Sequence, residues 1–490
     1  GAFASGVVFE AMNNAGGLKK NITVVLNDNK MSICPRVGGM ADSLDRLRLA
    51  PFYTGLKLEV QRVLNKVPVL GDPVERFLSQ VKDSIKAGLL GGMMFEELGF
   101  RYIGPVDGHN IRHLQKYLTM ARKFEGPVLL HVVTEKGHGF KPAAEDPTSF
   151  HAPAPFIREN GEAVAVEETR RQPYTRVVRD AVLAHMHRHP STVAITAAMT
   201  QGTMFEPLRE QFPKRFFDVG ICESHAVAFA AGLAKSGLRP VVAIYSTFMQ
   251  RSYDQIFQEV SLQNMPVTLL LDRAGLAGAD GPTHHGVFDI TYLRPLPNMV
   301  IMAPGDEQDV APMIDFALSH DGPVAVRFPK APVELVERKE KPLELGRAEI
   351  IRHGCDGTLV ACGTTLPACV EASDRLAGEG MKIGVINARF VKPLDTETIL
   401  AAIEESSFVL TVEEGALMGG FGSAVLEAAC DAGLDSSRVR RLGIPDEYIE
   451  HGPRAELLAD LSLDADGITK ACRAMENVSK RSVEVGSEVE

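Results

Sequence analysis

Residues 215–237 read RFFDVGICESHAVAFAAGLAKSG, and the interpretation of the whole chain starts from this stretch. The apolar run from Phe216 to Ile221 predicts a short buried strand. The small residues from Ser224 to Ala234 predict a closely packed helix, which Gly237 ends. Glu223 stands between the two, where ligands gather at the carboxyl ends of parallel strands. A glutamate in the first turn of a helix also complements the helix dipole, so Glu223 alone leaves both interpretations open.

The composition is that of an acidic chain with several globular domains. Its 490 residues predict about three domains of ~150 residues, and 45% apolar residues allow a core in each. The formal net charge of −11 and the absence of long basic runs argue against a nucleic-acid partner. Seven cysteines without a CxxC pair indicate reduced thiols and predict a cytoplasmic protein. No apolar stretch reaches the ~18 residues of a membrane-spanning helix, so no membrane partner is expected.

Alternating strand and helix patterns predict three α/β domains with doubly wound parallel sheets, of which the first is incomplete. Charged, proline-containing segments predict the linkers between them. The predicted boundaries are a first domain at 1–152 with a helical insertion at about 38–98, a linker at 153–173, a second domain at 174–330, a linker at 331–346, a third domain at 347–475 and a disordered tail at 476–490.

Three further segments carry local signals for a loop, a helix start and a glycine-rich connection. Residues 102–109, YIGPVDGH, predict a turn-rich loop. The helix-start signal Asp72-Pro73 predicts a helix inside the insertion. Residues 415–422, GALMGGFG, resemble a phosphate-binding loop only loosely, because the GxGxxG spacing is missing, so we predict close helix packing there.

Polar residues follow two apolar strand patterns in the first domain. Asn27-Asp28-Asn29 follows NITVVL and is either a plain turn or a site for a hard metal such as Mg²⁺, to which Asn29 offers an amide oxygen. A long loop that reaches His151 follows PVLLHVV. Long loops after strands are often functional, although a lone loop histidine is more often ordinary surface.

The second domain carries an ordered series of motifs, namely DVGICESHAVAFAAGLA, AIYSTFMQRSYDQ, LDRAGLAGADGPTHHG and VRFPK. This series resembles the pyrimidine-binding domain of thiamine diphosphate enzymes of the transketolase group. With NDN, YIGPVDGH and the FHA loop before it, and RFVKPLD and VEEGALMGGFGSAV after it, the chain is similar to the 1-deoxy-D-xylulose-5-phosphate synthase family. The ordered set carries the resemblance rather than any single motif.

The resemblance implies a thiamine diphosphate-dependent transferase that acts with Mg²⁺. The family reaction joins pyruvate to D-glyceraldehyde 3-phosphate with loss of CO2, and it feeds isoprenoid precursor and thiamine biosynthesis. A homodimer is also implied. Within the reaction, the cofactor is the electron sink, and the protein mainly positions and polarises the reactants.

The resemblance also implies roles for individual residues. Glu223 would exchange a proton with the pyrimidine nitrogen N1′, and His151, Asp280 and His284 would complete the catalytic group. Cofactor contacts would come from Gly1, Ala2, Asn29, Phe140, Glu223, Phe248 and Arg251. The metal would be held by Asn29 and the Met31 carbonyl, and the substrate phosphate by Arg273, Arg327 and Tyr245.

One departure from the family pattern stands out. Of the family's Gly-Asp-Gly cofactor motif, only the last glycine is present, as Gly1, and the metal-binding aspartate is not in the sequence. We therefore expect a fragment that binds the diphosphate poorly. Two alternatives to the synthase function stay open. One is another thiamine diphosphate enzyme, a transketolase or a 2-oxo acid dehydrogenase component, and the other is a non-catalytic subunit that lacks the cofactor half.

Overall fold

A computed structural model of the chain shows two compact units. One unit contains residues 1–168 and 220–222, and the other contains residues 169–219 and 223–490. Within the described part of the chain, no helix has the length and apolarity that a membrane crossing requires. The described residues are 2–32, 36–48, 93–151, 153, 156–159, 162–165, 171–339 and 341–487.

A parallel sheet forms the centre of the first unit. Its strands are β1 (Ile22–Asp28), β2 (Arg101–Asp107) and β3 (Pro127–Val133). They pair in the order β1–β3–β2, and β3 is buried at every position but its last because it lies in the middle. The helices of this unit are α1 (Gly6–Leu18), α2 (Gly39–Arg48), α3 (Met93–Glu97), α4 (Ile111–Ala121) and α5 (Lys141–Glu145), with a 3-10 turn at Ala2–Ala4.

Two predictions for the first unit differ from the structure. The turn-rich loop predicted for residues 102–109 is wrong, because most of it is strand β2. Gly104 has φ +144°, and a Cβ there would lie 2.6 Å from the His131 carbonyl oxygen, so this glycine serves close strand packing. The predicted linker at 153–173 contains an antiparallel hairpin of β4 (Phe156–Glu159) and β5 (Glu162–Ala165). Between these strands the sequence reads Asn160-Gly161, which is a hairpin signal.

The predicted helical insertion at 38–98 is described only at its ends, where α2 and α3 lie. Residues 49–92, with the predicted helix start at Asp72-Pro73, lie outside the described residues.

A second parallel sheet forms the centre of the predicted second domain. The strands are β6 (Thr192–Thr196), β7 (Phe216–Asp218), β8 (Arg239–Tyr245), β9 (Thr268–Asp272), β10 (Val300–Met302) and β11 (Val324–Phe328). Their order is β10–β11–β9–β8–β6–β7. The helices are α6 (Tyr174–Arg188), α7 (Glu206–Gln211), α8 (Glu223–Lys235), α9 (Ser246–Met249), α10 (Tyr253–Gln255), α11 (Asp289–Leu293) and α12 (Glu307–Ser319), with 3-10 turns at Gln250–Ser252 and Gly278–Asp280 and a π-helical turn at Ile256–Ser261.

A third sheet follows in the same unit. Its strands are β12 (Glu349–Arg352), β13 (Gly357–Cys362), β14 (Ile383–Asn387), β16 (Val409–Ala416) and β17 (Val439–Ile444), while β15 (Phe390–Lys392) lies elsewhere. The order is β12–β14–β13–β16–β17, with only β12 antiparallel to its neighbour among these described strands. The helices are α13 (Leu366–Ala377), α14 (Thr396–Glu405), α15 (Phe421–Asp431), α16 (Arg454–Asp460) and α17 (Ala465–Ser487), with 3-10 turns at Gly363–Thr365 and Ser436–Arg438.

Strand β15 joins the second sheet rather than the third. It pairs antiparallel with β10, and Phe390 is fully buried in the core beneath that sheet. The predicted linker at 331–346 is also packed, since Val333 and Val336 are buried. The segments on both sides of this linker therefore share one packed structure.

The end of the chain differs from the predicted disordered tail at 476–490. Helix α17 continues to Ser487. The sequence after 476 has no proline, and its first glycine is Gly486, so no helix-breaking residue interrupts the helix earlier. The other predicted domain boundaries stay predictions.

Candidate active site

Glu223 is the first residue of α8, and only 3% of its surface is exposed. The strand before it, β7, ends at Asp218, earlier than the predicted Ile221. The Oε1 atom of Glu223 accepts a hydrogen bond from Arg251 Nη1 at 2.6 Å. A glutamate that only complemented the helix dipole would need neither burial nor an ion pair, so this environment favours the functional interpretation.

The loop after β8 brings an aromatic ring beside this ion pair. Phe248 lies on α9, and its ring centre is 5.0 Å from the Arg251 guanidinium carbon. The Phe248 ring stacks on Tyr245, with centres 5.7 Å apart, and meets His284 edge to face at 5.2 Å. Ser224 Oγ donates to the Arg251 carbonyl at 2.7 Å and so fastens the loop to α8. The structure thus brings together five of the predicted site residues of this domain.

Arg273 follows β9 directly, in the left-handed region with φ +60°. Strained backbone of this kind in a non-glycine residue is concentrated at functional sites. Its guanidinium carbon lies 3.8 Å from the centre of the Tyr245 ring, and Nη1 donates to the Gly202 carbonyl at 2.7 Å. The Nε atom is buried and has no hydrogen-bond partner among the described residues. Arg273 therefore has one buried N–H group that the described residues leave without an acceptor.

A carboxylate next to Arg273 balances its charge. Asp272 Oδ2 lies 3.0 Å from Arg273 Nη1, and Thr175 Oγ1 donates to Asp272 Oδ1 at 3.2 Å. Burial raises the pKa of the Asp272 carboxyl, and the Arg273 cation opposes this shift.

Asp280 and His284 lie on the loop after Arg273. Asp280 Oδ2 accepts from Lys330 Nζ at 2.8 Å. The His284 Nδ1 atom lies 2.9 Å from Thr283 Oγ1. Burial lowers the pKa of His284, and Lys330 and Arg273 add to this, although Asp280 opposes them. A neutral imidazole that accepts a proton is therefore favoured near neutral pH.

Arg327 has a different environment from the one predicted. It lies on β11 with 5% of its surface exposed, and its Nε is 3.1 Å from Asp289 Oδ2. Its Nη2 donates to the Glu414 carbonyl at 2.9 Å. Protein groups therefore bind most of the guanidinium that the sequence predicts to bind phosphate. Of its nitrogen atoms, Nη1 is left for a ligand. The predicted phosphate contact of Arg327 stays a prediction.

In the first unit, Asn29 follows β1 in a tight turn. Its Oδ1 accepts from Met31 N at 3.0 Å, which orients the amide oxygen but leaves it a second lone pair. Asp28, next to it, is 5% exposed and is hydrogen-bonded to Arg36 Nη1 at 2.8 Å and to His131 Nε2 at 3.2 Å. The described residues contain no cluster of three or more histidine, cysteine or acidic side chains able to hold a metal.

His151 and Phe140 lie on the loop after β3. His151 Nδ1 is 2.5 Å from Lys136 Nζ, and burial followed by the Lys136 charge lowers the pKa of His151. Phe140 packs against Phe150, with ring centres 5.8 Å apart. Ala2 is exposed in the first 3-10 turn, and Gly1 lies outside the described residues.

Three family models match the chain. Residues 1–134 match the model for 1-deoxy-D-xylulose-5-phosphate synthase, residues 171–334 match the transketolase pyrimidine binding domain, and residues 346–468 match the transketolase C-terminal domain. A 1-deoxy-D-xylulose-5-phosphate synthase of Rhodopirellula baltica is 56% identical over 489 residues, which are 100% of this chain and 76% of that protein. A synthase of the same name from Geobacter sulfurreducens is 47% identical over 97% of this chain and 75% of its own length.

The chain belongs to the 1-deoxy-D-xylulose-5-phosphate synthase family. It is accordingly a thiamine diphosphate-dependent transferase of the transketolase type, as the motif series predicted.

Solved structures of transketolases share the fold. A structure described as a split gene transketolase, inactive beta4 tetramer, is 28% identical with a TM-score of 0.58, and it matches 62% of this chain and 99% of its own. A transketolase from Campylobacter jejuni shares the fold, with 16% identity and a TM-score of 0.55 over 96% of this chain and 75% of its own. The predicted fold class is therefore confirmed.

Sequence reasoning missed several residues that shape the site of this synthase family member. Asp289 holds Arg327, Lys330 holds Asp280, and Glu414 receives a hydrogen bond from the loop after Arg273. Lys330 directly follows VRFP in a quoted motif, so its position after β11 was available as a signal. Glu414 likewise lies in the motif VEEGALMGGFGSAV, whereas Asp289 gave no local signal, because Arg327 lies far away in the sequence.

Proposed function

We propose that this chain catalyses the decarboxylative condensation of pyruvate with D-glyceraldehyde 3-phosphate to 1-deoxy-D-xylulose 5-phosphate. The product would feed isoprenoid precursor and thiamine biosynthesis. One observation carries the proposal, namely the contiguous group of Glu223, Arg251, Phe248 and His284, which continues through Tyr245 to Arg273. It combines a buried carboxylate, an aromatic face and an arginine, which a heteroaromatic cofactor and a phosphorylated substrate require.

The residues of the second domain fit the pyrimidine part of thiamine diphosphate. Glu223 would hold or release a proton at a ring nitrogen, because its carboxylate is buried and Arg251 orients only Oε1. Phe248 offers a half-buried ring on which a flat heterocycle can stack. When bound, thiamine diphosphate supplies the electron sink for decarboxylation.

For Mg²⁺ we propose Asn29 and the Met31 carbonyl as ligands. Support comes from the turn that fixes the Asn29 amide oxygen, since oxygen atoms are the preferred ligands of Mg²⁺. Gly1, Ala2 and Phe140 are proposed cofactor contacts on the family resemblance alone.

For the acceptor aldehyde we propose Arg273 as the main phosphate ligand, with Tyr245 beside it and Arg327 as a further contact through Nη1. The left-handed backbone of Arg273 supports this assignment, because strain of this kind in a non-glycine residue is concentrated at functional sites. We propose that His284 and His151 move protons at the reacting carbons, with Asp280 assisting His284. The lowered pKa of each histidine supports a proton-accepting role at neutral pH.

We further propose a homodimer in the cytoplasm. Large apolar side chains are exposed along the segment after the site, where Phe257 is 42% exposed and Leu262 is 67% exposed, and such surfaces mark interfaces. The free thiols of Cys355, Cys362, Cys369, Cys430 and Cys472 are consistent with a reducing compartment. Light scattering after gel filtration measures the oligomeric state, and a monomer would contradict the dimer.

The deciding experiment uses the longest natural form of the protein. It is supplied with pyruvate, D-glyceraldehyde 3-phosphate, thiamine diphosphate and Mg²⁺, and the five-carbon ketose phosphate is detected by mass while CO2 is counted. Product with equal CO2 is expected. Ketose transfer without CO2 would favour a transketolase, and CO2 release that needs an acyl carrier would favour a dehydrogenase component.

A further inference from the structure

The end of strand β16 in the third domain contacts the loop at 274–286 in the second domain. Glu414 is 3% exposed, and its Oε1 accepts a hydrogen bond from Leu276 N at 2.7 Å. Ala416 N donates to the Val287 carbonyl at 2.9 Å. The loop is therefore attached near both of its ends to one strand of the third domain.

The loop at 274–286 behaves as a closed unit. Gly275 and Gly286 exchange two backbone hydrogen bonds, each of 2.8 Å. Asp280 and His284 lie between these two glycines. A displacement at the base of the loop would therefore be passed on to both side chains.

The Glu414 carboxylate packs directly on the loop backbone. A Cβ at Gly275 would lie 2.5 Å from Glu414 Cδ, so this glycine is required for the contact. Arg454 on α16 holds the carboxylate through Nε at 3.2 Å and through a close contact of Nη2 with Oε2. The backbone carbonyl of Glu414 accepts from Arg327. One residue therefore touches both the loop after Arg273 and a second arginine of the proposed phosphate site.

We propose that Glu414, held by Arg454, is a positioning residue that fixes the 274–286 loop beside Arg273 and thereby sets the preference for a phosphorylated acceptor aldehyde. The inference rests on the proposed function. Leu276, to which Glu414 is bonded, is close in sequence to Arg273, so a shift of this loop changes the placement of the phosphate ligand. Displacements of about 1 Å can cost catalysis roughly a hundredfold.

The test compares two acceptors in the longest natural form of the protein. We would measure kcat/KM for D-glyceraldehyde 3-phosphate and for D-glyceraldehyde, each with pyruvate, in the unaltered protein and in Glu414→Gln. Glutamine keeps the size and the acceptor oxygen but removes the charge that holds Arg454. The ratio of the two kcat/KM values is expected to fall by about tenfold.

Glu427→Gln is the matched control. It breaks a similar pair with Arg294, whose two contacts are 2.6 and 2.7 Å, and Glu427 is not bonded to the loop. This variant should keep the ratio of the unaltered protein. Arg454→Lys, a milder change, should lower the ratio in the same direction as Glu414→Gln.

An equal loss for both acceptors, with an unchanged ratio, would mean that Glu414 is merely structural and would overturn the inference. If Glu414→Gln does not fold, an unchanged ratio in Arg454→Lys overturns it as well. Absence of product from the unaltered protein would refute the proposed function and this inference together, whereas an unchanged ratio refutes the inference alone.

Discussion

At the scale of single residues, the role of a buried charged side chain depends on the partner against which it packs. Glu223 and Arg327 are both buried charged residues, yet one faces a half-exposed arginine and the other a buried aspartate. The first arrangement leaves a carboxylate oxygen for a ligand, and the second mainly neutralises charge. Substitutions at the two positions should therefore fail in different ways.

Glu223→Gln should lower kcat by about a hundredfold or more, because an amide cannot exchange the proton that the carboxylate handles. Product formation in the longest natural form measures the effect. Glu210→Gln, the same change at an exposed glutamate of α7, should leave turnover unchanged. Near-normal turnover of Glu223→Gln would remove Glu223 from the catalytic group.

Arg327→Ala should lower the free energy of unfolding by about 3–5 kcal/mol, because it leaves the Asp289 carboxylate buried without its cation. Denaturant unfolding measures this quantity. Arg473→Ala, which breaks an exposed pair with Glu379, should change the free energy of unfolding little. Equal small losses in both variants would argue that Arg327 is not held mainly by Asp289.

The pH dependence of His151 gives a third prediction. Burial and Lys136 lower the pKa of His151, so the neutral imidazole persists to lower pH than in an ordinary histidine. Lys136→Met removes the opposing charge, which raises the pKa of His151 and should shift the acidic limb of kcat/KM to higher pH. Lys116→Met on α4 is the control at an exposed lysine. An acidic limb that stays in place would show that His151 does not set it.

At the scale of elements, a buried carboxylate occupies the N-terminus of the helix that follows β16. The segment GALMGGFG connects the end of β16 to the first residues of α15. Glu413 accepts hydrogen bonds from Phe421 N at 2.7 Å and from Gly422 N at 2.8 Å. This buried side chain occupies the helix N-terminus where a phosphate would bind, and burial raises its pKa despite these bonds. The prediction of close packing rather than phosphate binding fits this arrangement.

Two glycines with positive φ allow the energetic cost of backbone strain to be distinguished from the cost of steric overlap. Gly433 has φ +72° and open space around it, whereas Gly275 has φ +79° and the Glu414 side chain against it. Gly433→Ala should cost about 1–2 kcal/mol of unfolding free energy for the left-handed backbone. Gly275→Ala should cost about 1–3 kcal/mol more, because the new methyl group must displace Glu414. Equal costs in thermal or denaturant unfolding would show that the loop yields without strain.

At the scale of the molecule, strand β15 and buried ion pairs connect the second and third domains. Strand β15 belongs to the second sheet, and Arg338 in the predicted linker pairs with Asp306 at 2.5 Å and with Glu349 at 3.0 Å. Arg389 pairs with the same Glu349 at 2.7 Å. Buried pairs of this kind favour one arrangement of the domains, because breaking them leaves charges unpaired.

We therefore expect residues 169–490 to unfold in a single cooperative transition, measured by calorimetry. Phe390→Ala should lower the free energy of that transition by about 3–5 kcal/mol, because the ring is fully buried in the neighbouring domain. Tyr448→Ala, at an 82% exposed ring, is the control and should change it little. Two separate transitions in the unaltered fragment would contradict this coupling.

The sequence alone determined most of the parallel strands, the order of the motifs and the place of Glu223 between β7 and α8. These features depend on local patterns, since a short apolar run before a helix signal defines a parallel strand wherever it packs. The hairpin of β4 and β5 was missed although Asn160-Gly161 signalled it, and β2 was missed because glycine and proline also occur in closely packed strands.

The tertiary structure decided which distant groups become partners. Leu276 and Glu414 are 138 positions apart, and Arg327 meets Asp289 across 38 positions, so no local pattern links either pair. A buried charge takes the nearest opposite group that the packed strands present, and that choice is fixed only when distant strands lie side by side. The sequence therefore determined the kind of chemistry, and packing decided which protein groups each buried arginine meets.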